Sequence, residues 1–198
     1  MNEALRVASL PEGVEGPAFL RTGEIVDIRV LRPSDLPVVE RFLREVSDES
    51  RATRFFGAVR SDVVADRMLR AGERDDRLQL VVTPVGRPDG PILAHAEYVR
   101  DAPGAPGAEV AFLVADALHG RGIATILLMR LVRAATPIGV ETFHAQVLAD
   151  NDRMLEVFRD SGFPTTSTFT DEGISVSLRI DRPPLTELCL LPTAPAPA

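Results

Sequence analysis

The sequence predicts a mixed α/β (α+β) domain, on three observations. Hydrophobic spacing switches repeatedly between a period of two and a helical period. The segments so marked run as two strands, three helices, three strands, then helix, strand, helix and a strand pair, with helices grouped early and interleaved late. One strand, "EVAFLVA" at Glu109–Ala115, passes through Gly120 and Gly122 directly into a helical pattern. At 198 residues the chain has the size of one domain with a real core.

Residues 1–17 are broken up by Gly and Pro and are expected to be irregular; 18–182 make the domain; 183–198, "PPLTELCLLPTAPAPA", read as a Pro-rich tail or linker. "AFLRTGEIVDIRVL" predicts two strands around a Thr-Gly turn. Leu36, Val39, Leu43 and Val46 fall at helical spacing, with Ser34 as N-cap and Asp35 in the first turn. Ser47–Phe56 reads as a second short helix, and "SDVVADRMLRAG", capped by Ser61 and stopped by Gly72, as a third. "RLQLVVTP" and "PILAHAEYVR" are strands separated by the turn-rich "VGRPDG". After the Glu109 strand come a helix from about Gly122 to Ala135, a strand in "ETFHAQVLA" and a helix in "NDRMLEVFRDSGF" ended by Gly162. "TTSTFTDEGISVSLRI" predicts a hairpin around Asp171–Gly173.

Composition narrows the function. Net charge is −7 and no basic stripe is present, which argues against nucleic acid as a partner. No apolar run reaches the ~18 residues of a membrane helix, and the N-terminus lacks the basic-then-apolar order of a secretory signal. The one cysteine, Cys189, leaves no disulfide framework, so a reducing cytoplasm is the expected location. All 22 Lys+Arg positions are arginine. A chain without lysine has no ammonium to bind phosphate, form a Schiff base or be modified itself. His95 and His144 lie on strands and read as satisfied histidines; no Cys/His/Asp cluster at ligand spacing suggests a metal.

The glycine turn narrows it further. The first N–H groups of a helix lack intrahelical partners and sit at the positive end of the macrodipole, and glycines let backbone approach a phosphate closely. A P-loop needs a lysine after its glycines, and there is none. A dinucleotide fingerprint wants a third small residue where Thr125 stands and an acid ending the next strand, whereas Glu141 begins it. A pyrophosphate cradle for coenzyme A fits the frame His119-Gly120-Arg121-Gly122-Ile123-Ala124, and so does a tight turn with glycines needed only for shape.

With these residues in view, "AEVAFLVADALHGRGIATILLMRLV" followed by "VLADNDRMLEVFRDSGF" resembles the coenzyme-A-binding core of the GNAT acetyltransferases, over roughly Val26 to Ile180. "SDESRATRFF", with its Ser-x-x-Ser-Arg-x-x-Arg-Phe-Phe run, is similar to the acetyltransferase domain of bacterial protein lysine acetyltransferases. The resemblance implies a twisted, mostly antiparallel mixed sheet with helices on both faces, splayed open at the strand containing Glu109. It implies acetyl-CoA as co-substrate, and as acceptor a protein lysine, for example of an acyl-CoA synthetase. The few residues before the first strand would not hold the cyclic-nucleotide domain some relatives carry.

The same resemblance assigns roles. Glu109 is the general base, its pKa raised by apolar neighbours Val110 to Leu113. Phe112, Leu113 and Val114 pair with the pantetheine arm, and a backbone N–H near Leu113 or Val114 stabilises the developing oxyanion. His119, Gly120, Gly122, Ile123, Ala124 and Thr125 hold the pyrophosphate, with a charged contact from Arg121. Asn151 caps its helix and meets the cofactor arm; Phe158 packs beside the thioester. Two positions depart from the family: His119 stands where Gln or Arg is usual, and Phe158 where many members carry a tyrosine acid. The only tyrosine, Tyr98, lies on an earlier strand. A small-amine or N-terminal acetyltransferase, and a non-enzymatic acyl-CoA-binding regulatory module, remain the alternatives.

Overall fold

Strands β1 (Gly16–Phe19), β2 (Ile25–Val30), β3 (Arg77–Pro84), β4 (Ala94–Arg100), β5 (Gly107–Val114), β6 (Thr142–Val147), β7 (Thr165–Thr170) and β8 (Gly173–Arg179) form one sheet in the order β1-β2-β3-β4-β5-β6-β8-β7. The computed structural model describes residues 10–55, 76–171 and 173–181. The helix expected over Ser61–Gly72 and the tail from Pro183 fall outside them. Every neighbouring pair is antiparallel except β5 and β6, which run parallel. Helices α1 (Leu36–Glu45) and α2 (Asp48–Phe55) precede β3; α3 (Ile123–Ala135) connects β5 to β6, and α4 (Asp152–Arg159) lies between β6 and β7.

Period-two alternation divides the central strands between two cores. Leu78, Leu80 and Val82 of β3 share a core with Leu127, Leu128 and Leu131 of α3. Val81 points the other way, to Val39, Phe42 and Leu43 of α1. Helices therefore cover both faces, and strands buried on both sides read as the near-continuous apolar runs seen in the sequence.

Two local expectations are corrected. Helix α1 does not start at a Ser34 cap: a 3-10 turn, Pro33–Asp35, leads into it and Asp35 occupies the N-cap. The Asp35 carboxylate accepts from the Arg32 N–H at 2.7 Å and from both ends of the Arg29 guanidinium at 2.7 and 2.9 Å. Arg29 and Asp35 are both buried, and a buried guanidinium must be paired. Strand β1 begins at Gly16, inside the segment expected to be irregular; Pro17 is accommodated because β1 is an edge strand.

The feature that positions the site is the short β5–β6 ladder. Its register is Gly107↔Thr142, Ala108↔Phe143 and Glu109↔His144. Beyond Glu109 the strands separate, while β5 continues to pair with β4 as far as Val114↔Ala94.

Candidate active site

The parting of β5 and β6 leaves backbone groups facing a gap. Ala115 N–H donates to Leu93 C=O at 3.0 Å on the β4 side. Bonded pairs alternate along an antiparallel ladder, so Leu113, Ala111 and Glu109 spend their N–H and C=O groups on β4. Phe112 and Val114 then aim theirs at the gap. The same reasoning from Ile180 N–H to Glu141 C=O, at 2.8 Å, gives β6 residues Phe143, Ala145 and Val147 to β8 and leaves Gln146 facing β5. Of the two N–H donors expected from the sequence, Leu113 is taken by β4 and its side chain is buried against α1. Val114 N–H is the one directed into the opening.

The gap is floored by a narrow notch lined by Glu109, Phe112, Gln146, Asn151, Met154 and Phe158 among others. Among the described residues, Glu109 is the one ionisable side chain on that lining. Glu109 is exposed: the apolar residues beside it in sequence do not enclose it. Phe158 is buried and meets Phe112 edge-on, with ring centroids 6.1 Å apart. Asn151 caps α4, its Oδ1 accepting from Met154 N–H at 3.2 Å. Tyr98 does not line the notch; it is buried and stacked on Phe143 at 5.8 Å, where burial pushes its hydroxyl pKa up.

A larger cleft of about 1080 Å³ adjoins the notch through Phe112, Asn151 and Met154. That matches the upper end of small-molecule sites, about 300–1,000 Å³. Val114, His119, Gly120, Gly122, Ile123, Ala124 and Thr125 line it. Gly120 and Gly122 have φ of 76° and 84°, the left-handed region where a side chain is strained. Gly122 is the N-cap of α3 and supplies no side-chain cap. The helical ladder starts at Ile126 N–H to Gly122 C=O, 3.1 Å, so Ile123, Ala124 and Thr125 N–H have no intrahelical acceptor. An uncapped helix terminus beside a cleft of this size fits a diphosphate-bearing ligand.

Arg121 is not among the residues lining the cleft. Its guanidinium reaches back to Glu24, at 2.5 Å, and to Ala117 C=O, at 3.1 Å. Hydrogen bonds from Arg121 and Thr22 hold the Glu24 carboxyl below its ordinary range. His119 Nε2 lies 3.0 Å from Val114 C=O, which can only accept, so the proton sits on Nε2. Nδ1 then accepts from Arg153 at 3.1 Å.

Three contributors were not singled out from sequence. Arg21, from the β1–β2 turn, and Arg153, from α4, both line the cleft. Asp116 binds α2 to the turn: Oδ1 accepts from the hydroxyls of Ser47 and Ser50, each at 2.7 Å, and Oδ2 from Ser47 N–H at 2.8 Å. Burial opposes ionisation of Asp116, but these hydrogen bonds outweigh it and bring the carboxyl down from 3.8 to about 2. The Ser-x-x-Ser spacing is the one available sequence signal for this contact. Among the described residues no group of His, Cys, Asp and Glu could hold a metal ion, and no helix is long and apolar enough to cross a membrane.

His95 and His144 both have partners: His95 is buried 3.1 Å from Gln79, and His144 pairs with Asp101 at 3.1 Å.

Comparison with known proteins agrees with this arrangement. Residues 26–164 match the family model for the acetyltransferase (GNAT) domain. The chain is 33% identical over 173 residues to "Acetyltransferase Pat" of Mycolicibacterium smegmatis, covering 85% of this chain and 49% of that protein, so it spans about half the length of that curated relative. The crystal structure of the GNAT domain of S. lividans PAT superposes with a TM-score of 0.74 at 33% identity, covering 85% of this chain and 98% of that one. A cAMP-binding acyltransferase from Mycobacterium smegmatis superposes with a TM-score of 0.61 at 27% identity, covering 91% of this chain and 50% of that one. With its sheet parted after Glu109 and a glycine turn opening α3, the chain belongs to the GNAT acetyltransferase family.

Proposed function

We propose that the domain transfers an acetyl group from acetyl-CoA to a primary amine, with a protein lysine side chain as the acceptor class. The observation that carries this reading is Glu109, the sole ionisable group among the described residues lining the notch where β5 and β6 part.

A lysine ammonium, with a pKa near 10.4, is not nucleophilic at neutral pH until a base removes its proton. The exposed Glu109 carboxylate is open to the acceptor side and takes that proton, directly or through water. Acetyl-CoA supplies an activated thioester carbonyl: the amine attacks it, the C–N bond forms as the C–S bond breaks, and the coenzyme A thiolate leaves to be protonated by solvent. Val114 N–H, left unspent by β4, meets the negative charge that develops on the carbonyl oxygen. Phe112 and Gln146 offer backbone groups on opposite sides of the gap to an extended amide-bearing arm, as an inserted strand would find them. The N–H groups opening α3 receive the diphosphate. Phe158 contributes a dry wall and no proton. The lysine acceptor rests on the resemblance of the "SDESRATRFF" segment to bacterial protein lysine acetyltransferases.

The test is thiol release from acetyl-CoA with an acyl-CoA synthetase as acceptor, then with small amines, for the parent and Glu109→Gln. Turnover on the protein acceptor that falls steeply in the variant supports the reading. Turnover on small amines alone would reassign the acceptor. Saturable acetyl-CoA binding with no turnover on any amine would make the domain an acyl-CoA sensor.

A further inference from the structure

The cleft that receives the diphosphate has few sources of positive charge. Among the described residues lining it, the ionisable ones apart from His119, Arg21 and Arg153 are all acids, among them Glu49, Asp116 and Asp150. Arg121, the cation adjacent in sequence, is committed to Glu24.

Arg21 reaches the cleft because the β1–β2 turn is fastened onto the glycine turn. Arg21 N–H donates to Arg121 C=O at 3.2 Å, and the Arg121–Glu24 ion pair closes the same junction. The Arg21 side chain then crosses directly over Gly122: a Cβ there would lie 3.2 Å from Cγ and 3.3 Å from Nε. Its guanidinium is exposed, with no hydrogen bond or ion pair to another described residue. Arg153 lines the same cleft from a different element, the first turn of α4. His119 holds it there, donating to Val114 C=O through Nε2 and accepting from Arg153 through Nδ1.

We propose that Arg21 and Arg153 form a clamp on the diphosphate of the bound nucleotide thioester, with His119 positioning Arg153. This rests on the acetyl-CoA reading above. The clamp supplies the charge that a lysine-free chain cannot take from an ammonium, and the backbone N–H groups of Gly122 to Thr125 supply directionality between its jaws. His119 in place of Gln or Arg acquires a reason: its ring bridges the β5 carbonyl beside the reacting end to the arginine on α4.

Calorimetric titration of the full chain separates the possibilities. The ligands are acetyl-CoA, dephospho-CoA, which lacks the 3′-phosphate, and S-acetylpantetheine, which lacks the diphosphate. Arg21→Gln and Arg153→Gln are each expected to weaken acetyl-CoA about tenfold, the loss of one charge-assisted contact. The loss persists with dephospho-CoA, the preference for acetyl-CoA over S-acetylpantetheine narrows, and the salt dependence of binding becomes shallower. His119→Ala weakens acetyl-CoA in the parent but adds little once Arg153 is already Gln.

Affinities of both arginine variants within about twofold of the parent would overturn the clamp. So would an equal loss for S-acetylpantetheine, or a loss that vanishes with dephospho-CoA. A larger loss for Arg121→Gln than for either, with the melting temperature unchanged, would return the role to Arg121. Failure of the parent to bind either coenzyme A ligand would remove the acetyl-CoA reading itself, an outcome distinct from all of these.

Discussion

Glu109 and His144 face each other across the last paired position of the β5–β6 ladder. One rung further the strands no longer pair, so the carboxylate stands at the apex of the opening, on a strand anchored firmly on its other side by β4. Glu109→Gln is therefore expected to lower kcat by on the order of 10²-fold or more, the usual worth of a general base. Because the side chain is exposed, the melting temperature should hardly move. Unchanged turnover in the thiol-release assay would remove Glu109 as the base.

The two glycines of the turn are expected to respond differently. A Cβ at Gly120 meets open space, so Gly120→Ala carries only the left-handed backbone cost of about 1–2 kcal/mol. At Gly122 a side chain also displaces Arg21. Gly122→Val should reduce acetyl-CoA affinity far more than Gly120→Ala does, measured by calorimetry alongside thermal melts. Parent-like affinity in Gly122→Val would mean that the turn is a structural element only.

Asp116 gives the pH dependence a definite sign. Its folded-state pKa of about 2 lies below the ordinary 3.8, so the stabilisation it provides is complete above about pH 4 and is lost as pH falls toward 2. Near neutral pH it contributes no slope. Comparing melts of the parent and Asp116→Asn between pH 2.5 and pH 6 should show a gap that closes on acidification. A gap constant over that range would mean the carboxylate is not what holds Ser47 and Ser50.

Phe158 occupies the place where many relatives carry a tyrosine. It is buried to 1% exposure against Phe112 on the wall of the narrow notch, so the added hydroxyl of Phe158→Tyr has to fit between that packing and the notch. The expected result is a loss of about 1–3 kcal/mol in stability, with no gain in kcat. A faster enzyme would show that the site lacks an acid and can accept one.

Local pattern carried most of the fold. "RLQLVVTP" is β3 from end to end, and the switch from β5 through glycines into α3 was visible because φ and periodicity are properties of a few neighbouring residues. The glycine turn was readable for the same reason, whereas the role expected of Glu109 came from the family resemblance and not from local pattern. What sequence could not supply was pairing over distance. Arg121 finds Glu24 97 positions away, and Ser47 finds Asp116 69 positions away. Arg21 in a "LRTGE" turn looks like any solvated arginine until β1 and β2 are folded against α3. The Ser34 cap failed because a buried guanidinium, Arg29, claimed the neighbouring carboxylate, a tertiary demand that local propensity does not contain.

Both alternations of β5, side chains between the two cores and backbone groups between β4 and the gap, have a period of two and run in phase. A substitution in the strand alters one contact at a time. Insertion or deletion of a single residue would instead exchange everything downstream at once: Leu113's place in the core would fall to a neighbour, and Val114 N–H would turn toward β4. Strand β5 is thus tolerant of spelling and intolerant of frame, and natural or designed variants of this domain should differ in its letters while keeping its length between Glu109 and Gly120.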